Sequence, residues 1–405
     1  MQMNKKVLII NIGWEQERLV RVLSEYGVDI YAIHSNSNWN RKLPILDVAE
    51  IDYRDLAAIL SYARKLQPTA VIADQCDYSY FAATFVSESL GLPGAKMAEA
   101  QKTTNKWIQR ESLKNSTIPQ PEYRLCRFYD EVVDAANMIG YPIIIKPIDN
   151  RGSFGVNRVN NASGLFESYF AAVANSHSRL VLVEEFIKGV HITIDGYNFS
   201  EAGHRSLALA SKTMIGGEKQ VSMEIVYPGE ISEADYRRAV ETNDQVVCEL
   251  GLSFGMTHAE YMIDATGTPY LIEIANRGGG VLTSSTTVPA ASGVDITRQL
   301  VLDSLGMKQE IFHPSGFVKQ AVCLSFFCFQ PGLLEAIHGI EQVHDDSQVL
   351  AFKLMAKPGD LVGPIDSDGS RHGFVIVKAE STTNALAAAH RVKGLIRPEY
   401  ATQNH

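Results

Sequence analysis

One β-hairpin constrains this chain more than any other stretch: residues 255–280, GMTHAEYMIDATGTPYLIEIANRGGG. Two runs with strand-like alternation, HAEYMID and PYLIEIA, flank a short polar run that contains a glycine and predicts a turn. Counting outward with Asp264 opposite Pro269 gives three cross-strand pairs: Met262 with Leu271, Glu260 with Glu273, and His258 with Ala275. Because side chains alternate between the two faces of a sheet, Glu260 and Glu273 share one face.

Two carboxylates directly opposite each other need a cation. Opposed residues have Cβ atoms about 4.5–5.5 Å apart, and like charges there destabilise a sheet. Mg²⁺ bound by one or two carboxylates plus substrate phosphates is the usual arrangement at nucleotide sites, and it would offset the repulsion between Glu260 and Glu273. The alternative is a solvent-facing pair that repels weakly in water. Apolar neighbours, and the Arg277 and glycines that follow, favour the metal site.

Length and composition predict a cytoplasmic globular protein. The chain has 405 residues, enough for two or three domains, and a net charge of −9 without basic runs. Nucleic acid and anionic membranes are therefore not expected as main partners. The five cysteines are scattered without CxxC spacing, which favours reduced thiols. The short apolar run near the start predicts a first strand rather than a signal peptide, and no stretch reaches the roughly 18 apolar residues of a membrane span.

Alternating strand and helix patterns predict a small parallel α/β domain over residues 1–100. Its strands are KVLIINI, DIYAIH and TAVIAD, and its helices are EQERLVRVLSEYG and YRDLAAILSYARKLQ. The turn after the first strand lacks GxGxxG, so dinucleotide binding is poorly supported. The polar loop 34–39 reads as an ordinary surface loop rather than a ligand site. The last part, about 310–405, reads as a small α+β cap.

Two lysines differ in what their positions indicate. A helix is predicted after Thr104 as its N-cap, and Lys106 in its first turn reads, by position alone, as a solvated surface charge. Lys146 instead ends an apolar strand, where a lysine needs an anionic partner because it is rarely buried unpaired. The loop that follows contains Ser153 and Gly155, and its glycines allow backbone N–H groups to approach phosphate oxygens.

The roles of four other polar residues stay open. Glu184 and Glu185 close an apolar strand, and on the residues alone they are two exposed acids. Lys212 precedes the glycines at 216–217, which suit a mobile loop near a site. It would bind a substrate carboxylate or phosphate, or it is a surface lysine. His258 would assist proton transfer or is a structural histidine.

Taken together and in chain order, five motifs resemble those of ATP-grasp enzymes: NKWIQRESLKNSTIPQPEY, YPIIIKPIDNRGSFGV, LVEEFIKGVHITID, THAEYMID and YLIEIANRGGG. The resemblance implies a mixed α/β and α+β fold. It implies an N-terminal parallel α/β (pre-ATP-grasp) domain over 1–100, a two-part ATP-grasp domain over 101–305 and a small α+β C-terminal domain over 306–405.

The resemblance also implies which residues bind ATP. Lys106 and Lys146 would hold the phosphates, and the loop with Ser153 and Gly155 would close over them. Glu184 would reach the adenine amino group.

The remaining contacts to the nucleoside are also implied by the family pattern. The backbones of Glu185 and Ile187 would pair with the adenine edge. His191 stands where many members carry a ribose-binding glutamate, and its imidazole can hydrogen-bond a hydroxyl.

For the metal, the resemblance agrees with the register argument. Glu260 and Glu273 would hold Mg²⁺, or Mn²⁺ in its place, and Arg277 would steady the charge on an acyl phosphate. Many members supply a third metal ligand, an asparagine, where Ala275 stands here. Either the neighbouring Asn276 or water would complete the metal shell.

Within the superfamily, Glu-x-Ala-x-Arg followed by glycines is similar to the L-amino-acid ligases, which join amino acids into dipeptides. This implies an ATP-dependent carboxylate–amine ligase that acts on small molecules through an acyl phosphate and releases ADP and phosphate. The residues expected near its substrates are Lys212, His258, Arg277, Gly278 and Gly279. A homodimer is compatible with this interpretation.

Two alternatives remain. One is an ATP-dependent enzyme of the biotin-carboxylase type, which would use bicarbonate. The other is a non-catalytic nucleotide-binding or sensor protein, against which the two lysines, the glutamate pair and Arg277 argue.

Overall fold

The computed structural model describes residues 5–35, 39–200, 202–216, 219–307 and 320–401. Within them the chain builds four β-sheets flanked by helices. No helix of these residues has the length and apolar character needed to cross a membrane. The glycine loop predicted at 216–217 lies partly outside the described residues, as does the middle of the loop 34–39.

The N-terminal part is the predicted parallel α/β unit. Its strands and helices are β1 Lys6–Ile10, α1 Glu17–Glu25, β2 Asp29–His34, β3 Asp47–Glu50, α2 Leu56–Leu66, β4 Ala70–Ile72 and α3 Asp77–Ser89. The sheet order is β3-β2-β1-β4, and all its strands are parallel. The three strands and two helices that the sequence predicts are confirmed, whereas β3 and α3 had not been predicted. The segments that follow β1 and β4 bring residues 15, 74, 75 and 77 to the carboxyl edge of the sheet.

Two short helices lead out of this unit: α4 Met97–Thr104 and α5 Lys106–Ser112. The predicted N-cap, Thr104, is wrong, because Thr104 is the last residue of α4. Asn105 has extended backbone angles and caps α5 by accepting a hydrogen bond from the N–H of Ile108. The break at Asn105 turns the first residue of α5, Lys106, toward the site described below.

A second sheet has the order β5-β8-β6-β7 and is antiparallel. Its elements are β5 Tyr123–Cys126, α6 Tyr129–Ile139, β6 Ile143–Pro147, β7 Asn157–Val159, α7 Leu165–Ala174 and β8 Val181–Glu185. The inward side chains of β6 and β8, among them Ile143, Ile145 and Val183, are fully buried under the two helices. We call this unit the lid.

The central part follows, with β9 Val190–Phe199, β10 Gly203–Met214, β11 Ser222–Tyr227, α8 Glu233–Leu250, β12 Gly255–Ile263, β13 Pro269–Ala275, α9 Val288–Ser292 and α10 Ile296–Ser304. Its strands form one antiparallel run, β13-β12-β9-β10-β11. The face that contains Ile192, Ile194 and Ala259 packs on α8. The opposite face supports the site.

The C-terminal part of the chain extends the central sheet instead of forming a wholly separate one. Its elements are β14 Ala321–Phe326, β15 Gly332–His338, α11 Ile340–His344, β16 Val349–Leu354, β17 Leu361–Val362, β18 Gly373–Ala379, α12 Thr382–Leu395 and β19 Arg397–Tyr400. Strand β14 pairs with β11, so the full order is β13-β12-β9-β10-β11-β14-β18-β16. A small second sheet, β17-β15-β19, completes this part. The proposed boundaries at 100 and 305 stay predictions.

Candidate active site

The hairpin β12–β13 places Glu260 opposite Glu273 and His258 opposite Ala275, as the sequence count predicts. The count itself was wrong nearer the turn. Ile263, not Asp264, faces Pro269, and a bulge between Glu260 and Tyr261 shifts the register by one residue. The two deviations cancel, and both carboxylates line the same pocket.

Cations already surround both carboxylates. Glu273 pairs with Lys106 at 2.8 Å, and Glu260 pairs with Lys212 at 2.5 Å and with His191 at 3.0 Å. Burial alone would raise the pKa of Glu260, but Lys212 and His191 outweigh it and hold this pKa well below its ordinary value. Glu260 is thus available as an anion, which is the form that binds a divalent cation.

A buried ion-pair network forms the floor of this pocket. Glu184 accepts from Arg110 at 2.8 Å and from Lys146 at 2.6 Å, and the side chains of all three are almost completely buried. Burial would raise the pKa of Glu184, yet the two cations keep this pKa below its usual value. The anionic partner that Lys146 requires is therefore Glu184. Sequence reasoning missed Arg110, although it stands one helical turn after Lys106 on α5.

Most of the predicted ATP residues line this same pocket. Ser153, Glu185 and Ile187 do so together with Lys106, Lys146, Glu184 and His191. Gly155 is not among the lining residues; a Cβ there would lie 3.0 Å from the carbonyl oxygen of Ala171, so its lack of a side chain lets the loop pack on α7. We call this space the nucleotide pocket.

A larger cleft opens beside the nucleotide pocket, with a cavity volume of about 540 Å³. The two spaces share Lys106, Glu273 and the loop 150–152. The cleft lies between the N-terminal unit, α4–α5 and the lid, and its aromatic walls are Tyr53, Tyr78, Phe81 and His177. None of these four was predicted from the sequence, because they come from three distant parts of the chain.

Arg277 lines the cleft and not the nucleotide pocket. Its guanidinium binds Asp77 through two hydrogen bonds of 2.8 Å, and it also donates to the carbonyl of Gly278 at 2.8 Å. Burial would raise the pKa of Asp77, but Arg277, together with the charges of Lys106 and Arg151, holds this pKa below its ordinary value. Asp77 therefore holds the guanidinium in one orientation at the edge of the cleft.

The expectation that Asn276 could complete the metal shell is wrong. Its amide is buried and lies 2.7 Å from the Tyr80 hydroxyl, on the side of the strand that faces α3 and α4. With oxygen and nitrogen exchanged, the same amide also donates to the carbonyls of Phe254 and Met256. Asn276 fastens β13 to its neighbours and does not line the nucleotide pocket.

Of the other tentative substrate residues, Lys212 and His258 lie near Glu260, and neither they nor Gly278 and Gly279 line the cleft or the nucleotide pocket. His258 Nδ1 contacts Asp195 at 2.7 Å, and its Nε2 lies 3.9 Å from Glu260. Gly279 passes so close to this imidazole that a Cβ on it would lie 2.9 Å from Nδ1. Gly278 has even less space, because a side chain there would collide with Ser284 and Asp74.

The donor set fits Mg²⁺ with two protein ligands. The described residues contain no group of three or more His, Cys, Asp or Glu side chains that could hold a metal. Two opposed carboxylates that line the same pocket match the usual binding of Mg²⁺, which keeps several waters and substrate oxygens.

Comparison with known proteins gives two family matches. Residues 139–285 match the model of the ATP-grasp domain, and residues 325–401 match the L-amino acid ligase C-terminal domain 2. A D-alanine–D-alanine ligase from Nitrosospira multiformis is 26% identical over 235 residues, 54% of this chain and 72% of that protein. An uncharacterized protein, y4rH of Sinorhizobium fredii, is 26% identical over 350 residues, 84% of this chain and 71% of that protein.

Solved structures share the whole fold. The L-amino acid ligase from Bacillus licheniformis superposes with a TM-score of 0.86 at 19% identity, over 99% of this chain and 100% of that one. Phosphoribosylglycinamide synthetase from Anaerococcus prevotii gives a TM-score of 0.75 at 14% identity, over 98% and 100%. The predicted fold, an N-terminal parallel domain, an ATP-grasp domain and a small C-terminal domain, is thereby confirmed. The chain thus contains an ATP-grasp domain and a C-terminal domain of the L-amino acid ligase type, and its homologues support an enzyme that forms C–N bonds.

Proposed function

We propose that this enzyme joins an amino acid, through its carboxylate, to an amine by way of an acyl phosphate. The observation that supports this proposal most directly is that the nucleotide pocket and the cleft meet at Lys106 and Glu273. A γ-phosphate held there faces the cleft, so a carboxylate in the cleft can attack it in line. ADP leaves, and the amine then displaces phosphate to form the amide.

Each side chain at this junction has a defined task in the proposal. Lys106 and Lys146 bind phosphate oxygens, and Glu184 keeps Lys146 extended at the pocket floor. Arg277, oriented by Asp77, offers its remaining N–H groups to the acyl phosphate. Glu260 and Glu273 would hold Mg²⁺, which when bound neutralises charge on the phosphates. These groups are preorganised, so little reorganisation is needed at the moment of transfer.

The lid must move for a nucleotide to enter. The nucleotide pocket has a volume of only about 100 Å³ between the loop 150–156 and the hairpin. The C-terminal part of the chain contacts this loop, because the N–H of Asp368 donates to the carbonyl of Gly152 at 3.1 Å. Opening and closing of this loop would expel water from the transfer site.

The bicarbonate alternative has less support. Biotin carboxylase from Campylobacter jejuni shares the fold with a TM-score of 0.73 at 16% identity. The family match over residues 325–401 is to L-amino acid ligases, and the cleft has four aromatic wall residues, more than bicarbonate requires. Both observations favour an organic carboxylate.

The decisive experiment follows ADP and phosphate release from ATP with single amino acids and with pairs, while the product mass is read. A product lighter by one water than its two components, together with ADP and phosphate, supports the ligase. AMP with pyrophosphate would exclude the acyl phosphate. ATP binding without turnover across a broad panel would count against the proposal. Mn²⁺ in place of Mg²⁺, a homodimer and a cytoplasmic location remain predictions.

A further inference from the structure

The segment after β13, residues 277–284, has a strained backbone. Val281 and Leu282 are consecutive non-glycine residues with φ of +54° and +61°. A β-branched residue in this left-handed region is a genuine outlier. Such a conformation persists only where the surroundings over-determine it, and it clusters at functional sites. We call residues 277–284 the site loop.

The N-terminal unit supplies what holds the site loop. Asp74 Oδ1 accepts from the N–H of Gly278 at 3.1 Å, Glu15 Oε1 from that of Val281 at 2.6 Å, and Gln75 Oε1 from that of Leu282 at 3.0 Å. All three acceptors follow β1 or β4, at the carboxyl edge where open α/β sheets usually place ligands. Here that edge binds the chain's own backbone.

These acceptors are themselves braced. The second carboxylate oxygen of Asp74 accepts from the Ser284 hydroxyl at 3.0 Å. The backbone carbonyl of Asp74 accepts from the side chain of Gln16 at 2.9 Å. Gln75 donates to the carbonyl of Glu15 at 3.0 Å. Asp74 and Gln75 are 2% and 4% exposed, and burial raises the pKa of Asp74 and of Glu15. Asp74 is buried and Glu15 is partly buried, and the charge of Asp74 adds to the rise in the pKa of Glu15, so the two acids form a costly arrangement.

We infer that Asp74, Gln75 and Glu15 are positioning residues of the ligase, which hold the site loop in the strained form that sets Arg277 at the cleft. The catalytic part of this inference rests on the proposed function. The N-terminal unit then serves as the template on which the site loop is shaped, rather than as a nucleotide-binding domain.

The first test needs no substrate. Amide hydrogen exchange in full-length Asp74→Ala should show lost protection at Gly278 and Leu282, while the core of the lid stays protected. The variant Val281→Gly relieves the backbone strain of the site loop, which the hydrogen bond from Gly278 to Asp74 offsets in the wild-type protein. Its combination with Asp74→Ala should therefore cost less stability than the sum of the two single changes. Strict additivity with unchanged exchange would overturn the inference, even if the proposed function stands.

The second test uses turnover. Asp74→Ala should lower ligase turnover by about a hundredfold, since small misplacements of catalytic groups cost that much. The affinity for ATP should be unchanged, because the site loop does not line the nucleotide pocket. Asp74→Asn, which keeps an oxygen for Gly278, should restore part of the turnover. The matched control is Asp303→Asn, whose carboxylate accepts from Tyr197 at 2.6 Å and does not touch the loop. Equal losses of turnover in both proteins would overturn the positioning role.

Discussion

At the scale of single residues, Glu273 stands where the nucleotide pocket and the cleft meet. Its carboxylate is 37% exposed and holds the Lys106 ammonium at 2.8 Å. Replacement by glutamine keeps the shape but removes one of the two charges that we propose hold Mg²⁺. We expect Glu273→Gln to lower ATP turnover by about a hundredfold or more, the usual cost of losing one preorganised charge contact. Coupled ADP release measures the loss, and thermal unfolding should show that the fold survives.

The control for this prediction is Glu233→Gln on α8, whose side chain is 87% exposed. It removes the same charge from the surface and should leave turnover unchanged. Undiminished activity in Glu273→Gln would remove this residue from the metal site.

Single residues also show where sequence reasoning ends. An anionic partner for Lys146 could be predicted from physics, because a buried lysine must be paired, but its identity as Glu184 could not. Arg110 carried a usable signal, four residues after Lys106 on one helix face. Asn276 looked suitable by its neighbourhood in sequence, yet it points to the other side of the strand, toward Tyr80.

At the scale of elements, α5 protects the open edge of the central sheet. Gln109 donates to the carbonyl of Ile274 at 2.8 Å and accepts from the N–H of the same residue at 3.1 Å. Arg110 adds a bond to the carbonyl of Ile272 at 2.7 Å. An uncovered edge strand would offer these groups to other chains. The hairpin that carries Glu273 is thus fixed from outside the sheet.

We therefore expect Gln109→Met to destabilise the protein by about 1–3 kcal/mol, because it leaves two buried backbone groups of Ile274 without partners. Urea unfolding measures the change. The control is Gln245→Met on α8. The side-chain amide of Gln245 makes only exposed hydrogen bonds, which should contribute little to the free energy of unfolding. If the two variants were equally stable, the backbone of Ile274 would have to find water or another partner.

The hairpin itself shows what could be predicted at this scale. Alternation and turn residues were enough to place Glu260 opposite Glu273. The bulge beside Tyr261 was not predictable, because local alternation and turn residues do not mark it, and the pairing partners that complete the sheet, such as β9, are distant in sequence. Continuation of the central sheet into β14, β18 and β16 was missed for the same reason. Local pattern determines strands, and long-range pairing determines sheets.

At the scale of the whole molecule, one ion pair joins the N-terminal unit to the site. Asp77 and Arg277 are 200 residues apart in the chain, and both are largely buried. No sequence pattern indicates this pair, because only the assembled fold brings it together. Removing one partner leaves the other charge buried and alone. We expect Asp77→Asn to lower the free energy of unfolding at neutral pH by about 3–5 kcal/mol.

The same pair predicts a pH dependence with a definite sign. Arg277 holds the folded-state pKa of Asp77 below its ordinary value, which is about 4 in unfolded chains. Its stabilisation is therefore present above that value and is lost as the pH falls through the lower folded-state pKa. The difference between wild type and Asp77→Asn in urea unfolding should shrink in that acid range.

Asp295→Asn is the matched control, because Arg18 and Asp295 also join the N-terminal unit to the central part, at 2.6 Å but with about a third of each side chain exposed. Exposed pairs contribute about 0–1 kcal/mol, so this variant should stay close to wild type at every pH. A difference for Asp77→Asn that stayed constant down to the acid range would show that its carboxylate is not charged in the folded protein. The contact would then act through packing, and Arg277 would carry an unneutralised charge into the cleft.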